Sequence, residues 1–268
     1  MPERPWPRGA VLLGALAAAT LAAPWLAPFD PAQQLDVVHL KNLAPSLAHP
    51  LGTDAFSRDV LSRALFGGRT SLTMAVLATG VAFVAGGVWG ALAAMLGGRL
   101  GAALMTVTDV ARSVPRLLLF LAVLVVAGPL EPVMLAMVLG GVAWTGMAHL
   151  VHALVREGLA RPYVEAAMAL GTTRWRCLVR HVAPHLTSPL TAAGALLFAD
   201  ILAVEAGLSF IGLGVRPPGA SWGGMLQDAL PFMRSAPWLT ATPCALLVAT
   251  VLGAASVADR LDASSRAR

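Results

Sequence analysis

Six long apolar runs, set apart by arginine-bearing segments, constrain this chain more than any other feature. They lie at residues 9–29, 71–96, 100–127, 133–154, 186–204 and 238–257. A helix rises about 1.5 Å per residue and a bilayer's hydrocarbon core is about 30 Å thick, so about 20 apolar residues suffice to cross. Each run meets or approaches that length. The third carries Asp109, Arg112 and Arg116 in its first half, and Asp200 interrupts the fifth. The chain is 57% hydrophobic and 12% charged, against about 45–50% and about 25% in soluble domains. That charge cannot cover a water-soluble globule. The expected fold class is all-α, polytopic, with six transmembrane helices. Gly86, Gly87 and Gly90 on the second run predict a close helix–helix contact.

The positive charge sets the orientation. With both termini in the cytoplasm, the inner segments hold thirteen of the 19 basic residues and the outer segments six. The inner set runs from Arg4 and Arg8 through Arg99, Arg156, Arg161 and Arg174 to Arg260, Arg266 and Arg268. This is the positive-inside pattern, N-in and C-in. It also accounts for the net charge of +5 without a nucleic-acid partner. The first run also fits a signal peptide, with Arg4 and Arg8 as its basic flank and Ala22-Ala23 near a cleavage site. It is long for that role, and retaining it keeps the helix count even. Cys177 and Cys244 belong to no metal-binding or disulfide spacing.

The longest inner loop, 157–185, is the most informative segment. Pro162 suits a first helical turn, and Glu165, Ala166, Ala167, Met168 and Leu170 are compatible with helix. Gly171 suits a left-handed cap, and Thr172 or Thr173 can cap a second helix. Trp175, Leu178, Val179 and Val182 recur at spacings of three and four, which predicts one amphipathic face ringed by Arg174, Arg176 and Arg180. Pro184 and Pro189 mark entry to the fifth span. A basic loop of this kind can lie on anionic headgroups. Helix, glycine joint and apolar stripe together read better as a docking surface for a soluble partner.

Glu165-Ala166-Ala167, Gly171 and His181-Val182-Ala183-Pro184 resemble the EAA loop of ABC importer permeases. Leu51-Gly52-Thr53-Asp54 and Ser57-Arg58-Asp59-Val60 with Ser62-Arg63 resemble a signature of the dipeptide/oligopeptide/nickel permeases. Glu205-Ala206-Gly207-Leu208-Ser209-Phe210-Ile211-Gly212-Leu213-Gly214, then Pro217-Pro218, Ser221-Trp222-Gly223 and Ala236-Pro237-Trp238, continue the likeness. It covers residue 49 to the end of the last helix and fits the C-type permease of a heterodimer. Ser57 stands where the family usually has glycine, His185 where it often has asparagine, and residues 258–262 keep part of the family's ending.

The resemblance implies a type I permease fold, with residues 1–66 as an N-terminal helix and outer segment and 67–268 as the permease core. It implies a second permease subunit, two cytosolic ABC ATPase subunits and an extracytoplasmic solute-binding protein. ATPase contacts would fall on Glu165, Ala166, Ala167, Gly171, His181 and Pro184. Peptides are the expected solute, and nickel chelates the alternative. The Glu205-Ala206-Gly207 version looks more like the peptide branch.

The chain itself is expected to be non-catalytic, with no bound cofactor. Its one lysine, Lys41, follows no glycine-rich loop, so no P-loop exists and ATP must be hydrolysed by partners. Gly207 to Gly212 lacks GxSxG spacing. His149 and His152 lie one turn apart without a third ligand, and are read as interface histidines rather than a metal pair. Arg161 and Glu165 are spaced for an i,i+4 ion pair; Asp109 and Arg112, at i,i+3, read either as a structural pair or as a gate to the partner. Asp200 and Glu205 are candidate path residues, since an acid in a span is costly in lipid and faces protein or water. An ion-coupled carrier would need more such acids, and a scaffold would not need the Glu-Ala-Ala…Gly loop.

Overall fold

Pro115 breaks one of the apolar runs, whereas Pro189 and Pro243 lie inside continuous helices. The computed structural model describes residues 8–128 and 130–266; Arg4, Pro129 and Arg268 lie outside them. The helices are α1 (Arg8–Leu21), α2 (Ala23–Leu26), α3 (Val60–Leu96), α4 (Gly98–Ser113), α5 (Arg116–Ala127) and α6 (Pro132–Leu159). After them come α7 (Pro162–Ala169), α8 (Arg174–Cys177), α9 (Ala183–Phe210), α10 (Trp222–Ala229) and α11 (Trp238–Arg266). A π turn, Leu178–Val182, joins α8 to α9. Apart from an isolated bridge between Thr53 and Asp59, the described residues contain no extended pairing.

Four helices are long and apolar enough to cross a membrane: α3, α6, the continuous α8–α9 rod and α11. The expected third span is broken. Val114 and Pro115 are extended (ψ 127° and 124°), and α4 and α5 meet at a 78° bend. Proline removes a backbone donor and drives the preceding residue out of the helical region. The pair counts as a fifth span only if the two halves are taken together. The first run yields a 14-residue α1, about 21 Å long, which stops before Pro24. The described residues therefore contain four or five spans of full length where six were expected.

Inside a bilayer, helices associate through close packing rather than hydrophobic transfer. α3 and α6 form the most extensive pair. A Cβ on Gly86 would stand 2.4 Å from the Trp144 carbonyl, and one on Gly90 2.3 Å from that of Ala148. Gly87 points away into open space, so two of the three expected glycines make the contact. Gly140 completes it from α6, 2.5 Å in the same sense from the Ala78 carbonyl. α9 packs on α3 and α11, and α1 runs along α11, where Gly9 faces Ser256.

The segment between α2 and α3 is irregular but tied down by charge. Asp59 caps α3, accepting from Ser62 N and Ser62 Oγ at 2.8 Å each. His49 Nδ1 lies 2.9 Å from its other oxygen. Arg58 Nε donates to Asp54 at 2.6 Å, and Arg58 and Arg63 both reach Asp228 of α10, at 2.9 and 3.2 Å. Ser57 sits at φ +59°. That explains why glycine is usual there in the family this motif resembles: only glycine takes that conformation without steric cost.

Candidate functional site

The 157–185 loop folds as a helix–turn–helix on a buried base. α7 starts at Pro162, in the first turn where a missing N–H costs nothing. Gly171 follows at φ +90°. Thr173 then caps α8, its side chain accepting from Arg176 N at 3.4 Å. Val164, Cys177, Leu178 and Val182 are buried against Val155 and Leu159 of α6. Gly158 allows this approach, since a Cβ there would lie 2.4 Å from Val182 Cγ1. Tyr163 Oη donates to the His181 carbonyl at 3.5 Å, tying α7 to the π turn.

The expected apolar stripe is split. Leu178 and Val182 are buried, whereas Trp175 and Val179 are 64% and 51% exposed. The buried face centres on Cys177 and Leu178, and the wider π turn carries Val182 inward. Trp175 and Val179 are left beside Arg176, Arg180 and Pro184, around a shallow depression. Arg161 pairs with Glu157, at 3.6 Å, and not with Glu165. It sits at the N-cap with extended backbone, so its side chain turns back along α6. Glu165 is exposed with no ion-pair or hydrogen-bond partner among the described residues. Ala166, Gly171 and Pro184 are exposed too; Ala167 and His181 are half-buried. A Cβ on Gly171 would meet nothing within 4 Å.

The two candidate path acids separate. Asp200 Oδ2 accepts from Arg116 Nη1 at 2.7 Å, with side-chain exposures of 45% and 52%. Both border a cavity of about 370 Å³ at the break between α4 and α5. Glu205 is fully buried and does not line that cavity. Ser209 Oγ donates to its Oε1 at 2.7 Å, and the hydroxyls of Ser71 and Ser221 lie around the same carboxyl group. Trp222, also fully buried, donates from N to Ser71 Oγ at 3.2 Å and from Nε1 to the Ala64 carbonyl at 2.9 Å. A Cβ on Gly223 would come within 2.4 Å of the Ala206 carbonyl. The Glu205–Gly214 and Ser221-Trp222-Gly223 motifs thus meet in one polar seam between α3, α9 and α10.

Asp109 pairs with His149, at 2.8 Å, instead of the expected Arg112. Arg112 is exposed, without a partner among the described residues, and borders the same cavity. Pro115, between Arg112 and Arg116, was the sequence signal for this broken span; composition alone conceals it because the flanks are apolar enough to read through.

Residues 62–266 match the family model described as the inner membrane component of binding-protein-dependent transport systems. The chain belongs to that family. The permease is 32% identical over 245 residues to the probable D,D-dipeptide transport system permease protein DdpC of Escherichia coli, covering 91% of this chain and 81% of that one. It is 36% identical over 258 residues to a putative peptide permease protein of Brucella suis, covering 94% and 83%. It is 33% identical over 216 residues to the dipeptide transport system permease protein DppC of Bacillus subtilis, covering 80% and 66%. Its fold resembles a chain of the inward-facing MetNI methionine ABC transporter, with TM-score 0.63 at 18% identity over 76% of this chain and 97% of that one. This permease is a non-catalytic, multi-pass subunit of the bacterial cytoplasmic membrane.

Proposed function

We propose that this permease forms half of the translocation path of an ATP-driven peptide importer and couples to an ATPase through α7 and the Gly171 turn. The observation that carries the reading is the exposed α7–Gly171 surface. Its outward side chains, Glu165 and Ala166, are unengaged, while its inner side is packed on α6 and the π turn. A projection fixed in this way can transmit a push from a soluble partner to α6 and α9 as a rigid-body displacement. Partners are a second permease, two ABC ATPases that hydrolyse the ATP, and an extracytoplasmic binding protein.

The full topology is six spans, N-in and C-in. α1 and α2 supply the first span alongside α11, and the bent α4–α5 pair the third. With Arg112 and Arg116 set aside as residues of the broken span, eleven basic residues fall inside against six outside, which supports this orientation. Peptide is favoured over nickel chelate because the relatives reported above carry peptide or dipeptide names. The test is uptake of a radiolabelled dipeptide into proteoliposomes holding the four-subunit complex, with binding protein outside and ATP inside. Accumulation that requires both supports the reading; accumulation without ATP, or none, contradicts it.

A further inference from the structure

The cavity at the α4–α5 break is a charged site among the spanning helices. Asp200 lies ten residues, about 15 Å, before the C-terminal end of α9 and within the apolar run 186–204. Thr145 and Gly146, which also line it, fall at the centre of α6. Ionisable groups within a span are costly in lipid and face protein or a water-filled path. Secondary transporters build their solute sites from broken helices that line a cavity, and the α4–α5 break offers the same kind of backbone opening. The volume, about 370 Å³, is in the range of small-molecule pockets.

The charges are unequal. Arg112 and Arg116 border the cavity against one acid, Asp200. Asp200 is engaged by Arg116, and Asp109, one turn before Arg112, is engaged by His149. Arg112 is therefore the cation left over. The rest of the lining is mainly apolar, from Val142, Leu150 and Leu197. A small solute bearing one carboxylate, one ammonium and apolar side chains complements this set.

We infer that this cavity is a transit station for zwitterionic peptides, in which Arg112 receives the terminal carboxylate and Asp200, shared with Arg116, receives the ammonium. The inference rests on the peptide-importer reading. It assigns substrate contact to Arg112, which does not maintain the fold: its guanidinium touches no partner among the described residues. A guanidinium–carboxylate bond is worth enough that its loss lowers passage about tenfold or more.

The test uses the full complex in proteoliposomes, with binding protein loaded with a dipeptide. Dipeptide delivered and ATP hydrolysed are measured together for wild type, Arg112→Gln, Arg112→Lys and Asp200→Asn. The expected result is that Arg112→Gln cuts dipeptide delivered per ATP about tenfold while binding-protein stimulation of hydrolysis stays within about twofold. Arg112→Lys should recover much of the loss, and Asp200→Asn should lower delivery per ATP as well. If Arg112→Gln delivers like wild type, or loses hydrolysis in parallel with delivery, the station is wrong while the importer stands. If the wild-type complex delivers no dipeptide, the importer reading fails first and this inference falls with it.

Discussion

Arg58 Nη2 lies 2.9 Å from Asp228 Oδ2, joining the segment between α2 and α3 to the short helix before α11 across 170 residues. Arg63 reaches the same oxygen at 3.2 Å. Both arginines are buried, and Asp54 is the only other acid paired with them among the described residues. Replacing Asp228 with alanine leaves two buried cations sharing one carboxylate. Removing one partner from a buried pair costs about 3–5 kcal/mol, reduced here because Asp228 is one-third exposed. The expected loss is about 2 kcal/mol, read as a lower Tm of the purified permease in detergent. An unchanged Tm would mean that the segment between α2 and α3 is not held by this cluster.

Ser57 tests the backbone directly. At φ +59° a serine carries a steric cost that glycine lacks, while its Oγ accepts from Asp36 N at 3.1 Å. These effects oppose each other, so Ser57→Gly should leave Tm nearly unchanged. Ser57→Val has the conformational cost without the acceptor and should lose about 1–3 kcal/mol. Equal behaviour of the two variants would contradict the assignment.

Gly90 tests the packing of α3 on α6. Its Cβ position lies 2.3 Å from the Ala148 carbonyl and 3.0 Å from His152 N, both backbone atoms that cannot turn aside. Gly90→Leu should separate the two helices and sharply lower the yield of monodisperse permease. Gly87→Leu, facing open space one turn away, should be tolerated. Size-exclusion profiles of the two variants decide.

Gly158 links α6 to the π turn. A side chain there displaces Val182, whose Cγ1 would lie 2.4 Å from the new Cβ. Overpacking of this kind costs about 1–3 kcal/mol. Because the displaced turn carries α7's base, Gly158→Val should weaken binding-protein-stimulated hydrolysis more than it lowers Tm. Loss of Tm with stimulation intact would show that the turn does not transmit.

The helical class and the apolar runs were legible from hydrophobicity alone, because spanning length is a strong physical filter. The α7–Gly171–α8 arrangement was legible from capping chemistry: Pro162, Gly171 and Thr173 take the roles their side chains allow. Pair partners were not. Arg161 and Asp109 each have a neighbour at helical spacing, yet each finds a closer partner that only the path of the chain supplies, Glu157 and His149. The split of Trp175 and Val179 from Leu178 and Val182 depends on a π turn, which no periodicity announces. The burial of Glu205 and its neighbouring hydroxyls Ser71, Ser209 and Ser221 were not legible either, because they come together from separate segments.

The coupling role of α7 is tested most directly by the ATPase activity of the reconstituted four-subunit complex, with loaded binding protein added. Gly171→Asp and Gly171→Ala share the cost of a side chain at φ +90°. Only aspartate extends a charge into the open space on the proposed docking face. Stimulation should persist largely in Gly171→Ala and be lost in Gly171→Asp. Full stimulation in Gly171→Asp would contradict the account, because the proposed contact would then tolerate a charge at its centre.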